Sequence, residues 1–224
     1  MSTKKPEDKN RYFAKRNDLY NRYLLRGMRI LRKAEGVLLE DYAKYQAEED
    51  LESLDFTLSS LAVFQLMLGR NPKAEAYLRE REDTFPDSLD AKLAIARYLE
   101  DYLRDYRSTL RKLREVRLPK NPARGDFDSY YNALNLKGVA FLHLRQPQKA
   151  EKVMAELAEY TEANLSNMLF FFDLHFVELM IERKLGLQDC RAYLTTLRRR
   201  KQVVHDQKKT ISLLRRVNRM LDKK

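Results

Sequence analysis

His175, Glu178 and Glu182 stand three and four residues apart in "HFVELMIE". On a helix that spacing sets all three on one face. One imidazole and two carboxylates can ligate a metal ion, but nothing nearby completes such a set. His143 and His205 lie far from His175 in sequence and share no metal-ligand spacing with it. Cys190 is the single cysteine, so it excludes an internal disulfide, and no histidine is near it in sequence, which leaves a partner base open only through spatial proximity. A Gly-rich phosphate loop and a G-x-S-x-G nucleophile turn are both missing. The expectation is a chain that binds rather than catalyses. No catalytic residue, metal, cofactor or small-molecule substrate is assigned.

The other chemistry on offer is cationic. In "NRYLLRGMRILRK", Arg22, Arg26, Arg29 and Lys33 fall on one helical face, and Leu24, Met28, Leu31 and Leu38 on another. Just before it, Tyr12, Phe13, Tyr20 and Tyr23 interleave with Lys and Arg. Basic residues with aromatics can hold single-stranded nucleic acid by phosphate contact and base stacking, or simply pack an ordinary helix. The C-terminus carries Arg198, Arg199, Arg200, Lys201, Lys208, Arg215 and Arg216. There Leu197, Val204, Ile211 and Asn218 recur every seven residues, with Leu214 and Leu221 at companion positions. Arg200 and Gln207 leave that seam incomplete. Such a helix can cap a helical array, or dock on a protein, an anionic membrane or nucleic acid. Residues 1–33 hold eleven Lys/Arg against three Asp/Glu, and residues 191–224 hold twelve against two. With a net charge of +11, an acidic body of net −7 lies between two basic ends.

What must position these groups is helical. The 224 residues are 44% hydrophobic and 34% charged, with only six Gly and six Pro. That composition reads as a soluble all-helical protein with a real core. The longest apolar stretch, Asn167 to Ile181, is too short for a membrane span and is broken by Asp173, His175 and Glu178. It predicts a buried helix. "MSTKKPEDKN" lacks the apolar core of a signal peptide, so a cytoplasmic location is the default expectation.

One turn is written nearly twice, as "RNPKAE" (Arg70 to Glu75) and "RQPQKAE" (Arg145 to Glu151). Twelve residues before Ala74 lies Ala62, and twelve before Ala150 lies Gly138. Each small residue sits in an apolar helical pattern: Leu58, Leu61, Phe64, Leu68 in one case and Leu134, Phe141, Leu144 in the other. Small residues at a fixed separation predict tight antiparallel helical hairpins, with Gly69 ending one helix and Pro72 or Pro147 starting the next. A step of 34 residues from the first unit maps Leu61 to Ile95, Ala62 to Ala96 and Ala74 to Ser108. From Ala96 to Gly138 the step is 42, and "LPKNPARGD" reads as a loop that takes up the difference. The two elbows differ by one residue between Pro and Ala, which predicts that their geometries need not match.

This 34-residue helix–turn–helix, with small residues twelve apart and Pro86 near its end, resembles the tetratricopeptide repeat (TPR). Units at about 55–88 and 129–162 carry the resemblance. The middle unit is degenerate, and a fourth helical pair, about 164–200, keeps the architecture but not the signature. With no Trp in the chain, Leu58 and Leu134 replace the usual opening aromatic. The resemblance implies an all-α fold, a right-handed superhelix of stacked antiparallel hairpins with flanking N- and C-terminal helices. It also implies that the first helix of each pair lines a concave groove. Those groove positions are Phe56, Ser59, Val63, Leu66 and Met67, then Leu93, Arg97, Glu100 and Asp101, then Asn132, Asn135, Val139, Leu142 and His143. The Lys and Asn of the carboxylate-clamping variant are replaced by Ser59 and Val63, so that specialised activity is not implied.

The chain therefore divides into a disordered basic stretch (1–10), an amphipathic helical segment (11–50), a repeat domain (51–200) and a basic capping helix (201–224). The expected function is that of a non-enzymatic adaptor or scaffold holding a protein partner's peptide or helix in the groove. The alternative is a factor that binds nucleic acid or an anionic membrane through its basic ends.

Overall fold

The computed structural model describes residues 27–167, 174–199 and 204–223. Among them the fold is all-α, with ten helices and no strand. The expectations for residues 1–10, for Arg22, Arg26, Arg200 and Lys201, and for the side chains of Arg29 and His205 lie outside the described residues. The chain forms two compact units, Met1–Phe85 and Pro86–Lys224.

The first unit contains α1 (Met28–Ala47), α2 (Leu51–Met67) and α3 (Asn71–Thr84). α2 packs on both of the others. The expected apolar stripe of α1 supplies Leu31 and Leu38 to a core with Ala34, Leu61 and Phe64. Polar clamps tie the three helices together. Glu35 accepts from Gln65 Nε2 at 2.7 Å and from Arg70 Nη1 at 2.9 Å. Arg81, 4% exposed, donates two hydrogen bonds to Asp55 at 2.8 and 2.9 Å. Tyr42 donates to Glu80. That bond, with burial and the Glu80 charge, pushes the Tyr42 phenol up to about 12.

The second unit runs through α4 (Leu89–Asp101), α5 (Tyr106–Leu113), α6 (Arg124–His143), α7 (Pro147–Asn164), α8 (His175–Glu182), α9 (Leu187–Arg199) and α10 (Val204–Leu221). Packing is between neighbours along the chain: α4 with α5, both with α6, α6 with α7 and α8, α7 with α9, and α10 on α8 and α9. Its core is correspondingly serial. Leu89, Leu93, Ala96, Leu113, Val116, Ala133 and Leu136 form one cluster between α4, α5 and α6. A larger one spans α6 to α10. Within the apolar stretch Asn167–Ile181 the described helix is only α8, which buries Phe176, Val177, Met180 and Ile181. α10 buries Thr210, Leu213, Leu214 and Val217. The seven-residue line is therefore corrected: Asn218 is exposed and Ile211 only half-buried. α10 faces two helices at once, so it buries an i, i+3, i+4, i+7 stripe rather than a coiled-coil seam.

One elbow recurs through the chain. After α2, Gly69 takes φ +71°, Gly69 N–H donates to Leu66 C=O, and Arg70 N–H donates to Gln65 C=O. This double bond pattern is a Schellman C-cap. After α6, Arg145 takes φ +57° with the same pair of bonds, to Leu142 and Phe141. The next residues, Arg70 and Gln146, have nearly equal backbone angles, φ −101°, ψ 60° and φ −113°, ψ 66°. The extra residue before Ala150 is thus absorbed by moving Pro one place along the helix, and the two elbows share one geometry. Left-handed residues also follow α1 at Glu49, α4 at Arg104 and α8 at Lys184. After α4 one further residue precedes the left-handed position. The small buried residue in the partner helix is then Thr109, fully buried, rather than Ser108.

Ala62, Ala74, Ala96 and Ala150 are all 1% exposed or less. Gly138 has a different neighbour from the one its spacing predicts. A Cβ there would lie 2.2 Å from Cζ of the Phe176 ring, which comes from α8 and not from the hairpin partner α7.

Candidate functional site

The expected groove residues divide by unit. On α2, Phe56, Ser59, Leu66 and Met67 are half-buried and Val63 is 43% exposed. Leu54, Leu58, Leu61 and Phe64 face the core from the same helix. α2 is thus apolar on its inner face, where Met67 also packs, and its outer stripe carries exposed Val63 beside half-buried Phe56, Ser59 and Leu66.

In the second unit the expectation needs correction. Leu93 (4% exposed), Asn135 (2%), Val139 (5%) and Leu142 (1%) are interior. α6 is packed by α4, α5, α7 and α8, so most of its circumference is covered. Asn135 spends its amide on its own helix, donating Nδ2 to the Tyr131 carbonyl at 3.0 Å. Glu100 is also buried, while Arg97 and Asp101 are exposed and Asn132 is half-buried. His143 is exposed but stacked on Tyr106, ring centroids 4.3 Å apart and planes within 2°. Partial burial, with the charges of Arg183, His175 and Arg104, holds its imidazole below the ordinary histidine range.

The catalytic residue types do not converge. Glu178 pairs with Lys209 at 2.8 Å, whereas His175 and Glu182 are exposed. No cluster of three His, Cys, Asp or Glu able to hold a metal ion occurs among the described residues. Cys190 is fully buried, and burial pushes its thiol up to about 12, which keeps it protonated and unreactive. No described helix is long and apolar enough to cross a membrane.

Of the basic surface, Lys33, Arg198, Arg199, Lys208 and Arg215 are exposed and Arg216 is half-buried. Arg199 reaches Glu162 at 2.8 Å across a shallow cleft of about 660 Å³ between α7 and α9. That cleft mixes both signs of charge, with Glu159, Glu162 and Asp189 facing Arg191 and Arg199.

A second cleft, about 880 Å³, was not anticipated from the sequence. It lies between α5, the segment that follows it, α6 and the start of α7. Arg107, Arg111, Arg114, Arg117, Lys137 and Lys149 line it, and none of the described lining residues is acidic. The signal was present in "RDYRSTLRKLREVRLPKNPAR", where residues 104–124 hold eight Lys/Arg against two Asp/Glu. Averaging charge over the whole acidic body concealed it. The chain matches no protein-family model, and no curated protein matches its sequence.

Proposed function

We propose that this chain is a non-enzymatic interaction scaffold. In this reading its hairpins stack as in the tetratricopeptide family, in a right-handed superhelix, and a protein segment is held against first-helix faces. The observation that carries it is the repeated elbow. Gly69, Arg104, Arg145 and Lys184 each hold a left-handed conformation between the two helices of a hairpin. Three of these are side-chain-bearing residues, and each costs about 1 kcal/mol in that conformation. An elbow kept at four hairpins, three of them at this cost, supports repetition of one unit, and repeated hairpins characteristically serve as binding surfaces. In this reading the stripe of α2 that carries exposed Val63 beside half-buried Phe56 and Leu66 supplies one such surface.

The test is Val63→Arg, which places a charge on that stripe without touching the core. Proteins that co-purify with the wild-type chain should be lost from the variant, with far-UV circular dichroism unchanged. A partner retained at wild-type yield by a folded Val63→Arg chain would refute the reading.

A further inference from the structure

The basic cleft of the second unit gathers its cations around one short helix. α5 is eight residues long, too short to be stable alone. Arg107, Arg111 and Arg114 stand at i, i+4 and i+7 along it, all exposed. Arg111 lies in its last turn and Arg114 at its C-cap, where the helix dipole favours cations and offsets their mutual repulsion. Arg117 follows, its Nε donating to the Arg114 carbonyl at 3.3 Å, which keeps the guanidinium on the same side. The opposite wall adds Lys137 and Lys149. Glu156, outside the lining, accepts from Tyr130 Oη at 3.1 Å and pairs with Lys137 Nζ at 3.4 Å. Between the cations the lining offers half-buried Leu110, Leu118 and Leu144 beside Tyr130 and Gln146.

We propose that this cleft binds an extended acidic segment of a partner protein in which Asp or Glu alternates with bulky apolar residues. The charge complementarity is direct, since several arginines can each form paired hydrogen bonds to a carboxylate. The three half-buried leucines decide the rest of the ligand, because inorganic phosphate or a run of carboxylates alone would leave them unused. Single-stranded nucleic acid fits less well. It needs open ring faces for base stacking. Here Lys149 lies over the Phe141 ring at 5.6 Å, Tyr130 packs on Tyr160 at 5.0 Å, and Tyr106 is stacked on His143. The cleft shares no residue with the α2 stripe, so it goes beyond the scaffold reading and can hold where that reading fails.

The experiment uses the full chain and a fluorescein-labelled peptide of alternating Glu and Leu, read by anisotropy at low and at physiological salt. A peptide with Ser in place of Leu and a mixed single-stranded oligonucleotide serve as competitors. The alternating peptide should bind, weaken with salt, and lose about tenfold in affinity in Arg111→Glu/Arg114→Glu. Lys73→Glu, a charge reversal on α3 outside the cleft, should bind it normally. If the double variant loses helicity, Lys149→Glu, on α7, should weaken binding in the same direction. The proposal is overturned by no binding at low salt, by unchanged affinity in a folded charge-reversed variant, by equal competition from the Ser peptide, or by tighter binding of the oligonucleotide.

Discussion

Replacing Gly138 by alanine adds one methyl group where the structure has no room for it. The new Cβ would stand 2.2 Å from Cζ and 2.4 Å from Cε1 of Phe176. Ordinary carbon contacts lie at about 3.5–4.0 Å, so ring and helix must part by more than about 1 Å. The ring has nowhere to go, because Phe176 is 0% exposed within the largest core cluster. Overpacking of this kind costs about 1–3 kcal/mol. Against it stands the helix propensity of alanine over glycine in mid-helix, a gain of about 1 kcal/mol. The net expectation is a loss of up to about 2 kcal/mol, read as a lower urea midpoint by far-UV circular dichroism. Phe176→Leu shortens the opposing side chain and should relieve the clash. The double variant Gly138→Ala/Phe176→Leu should therefore be more stable than the two single losses sum to, by at least about 0.5 kcal/mol. If Gly138→Ala instead stabilises the protein by the full propensity gain, α6 and α8 are not in close contact at this point and the packing is wrong.

At the elbow after α6, Arg145→Gly removes a left-handed, side-chain-bearing residue and should stabilise the protein by about 0.5–1 kcal/mol, raising the urea midpoint. A lower midpoint would deny the elbow geometry. Arg81→Ala should destabilise by about 3 kcal/mol, the low end for a broken buried pair because Asp55 is 31% exposed. Arg81→Met with Asp55→Leu should recover most of that loss, and a double variant no better than Arg81→Ala would deny the pairing. Tyr42 has a folded-state pKa raised to about 12, above the ordinary value of 10.0. Its contribution to stability is therefore fully present below pH 10 and is lost as pH rises through about 12. In Glu80→Gln the corresponding phenolate absorbance should appear at lower pH than in the wild type, and an unchanged titration would remove Glu80 as the cause.

The sequence shows the hairpins wherever their chemistry is the usual one. Gly69 marks a left-handed cap, and Ala62, Ala74 and Ala150 mark close approach. Arg104 and Lys184 hold the same left-handed backbone, yet nothing in an Arg or Lys announces it, so those elbows are visible only in three dimensions. The groove assignments held their surface position only in part. Val63 and Arg97 are exposed, but Leu93, Asn135, Val139 and Leu142 are enclosed. Spacing places a residue on a helix face. How many neighbours cover that face depends on long-range packing, and α6 has four. The basic cleft escaped for a different reason. Its six cations come from α5, the following segment, α6 and α7, and only the run on α5 is contiguous in sequence.

The scaffold reading is decided at Val63. A photo-crosslinking amino acid is placed there in the full chain in cells, and in a control chain at Lys73, an exposed position on α3. The expected result is a discrete protein adduct from position 63 that is absent from position 73 and disappears when Phe56→Arg is added. Equal adducts at both positions, or crosslinks to nucleic acid alone, would contradict a protein-binding surface on α2.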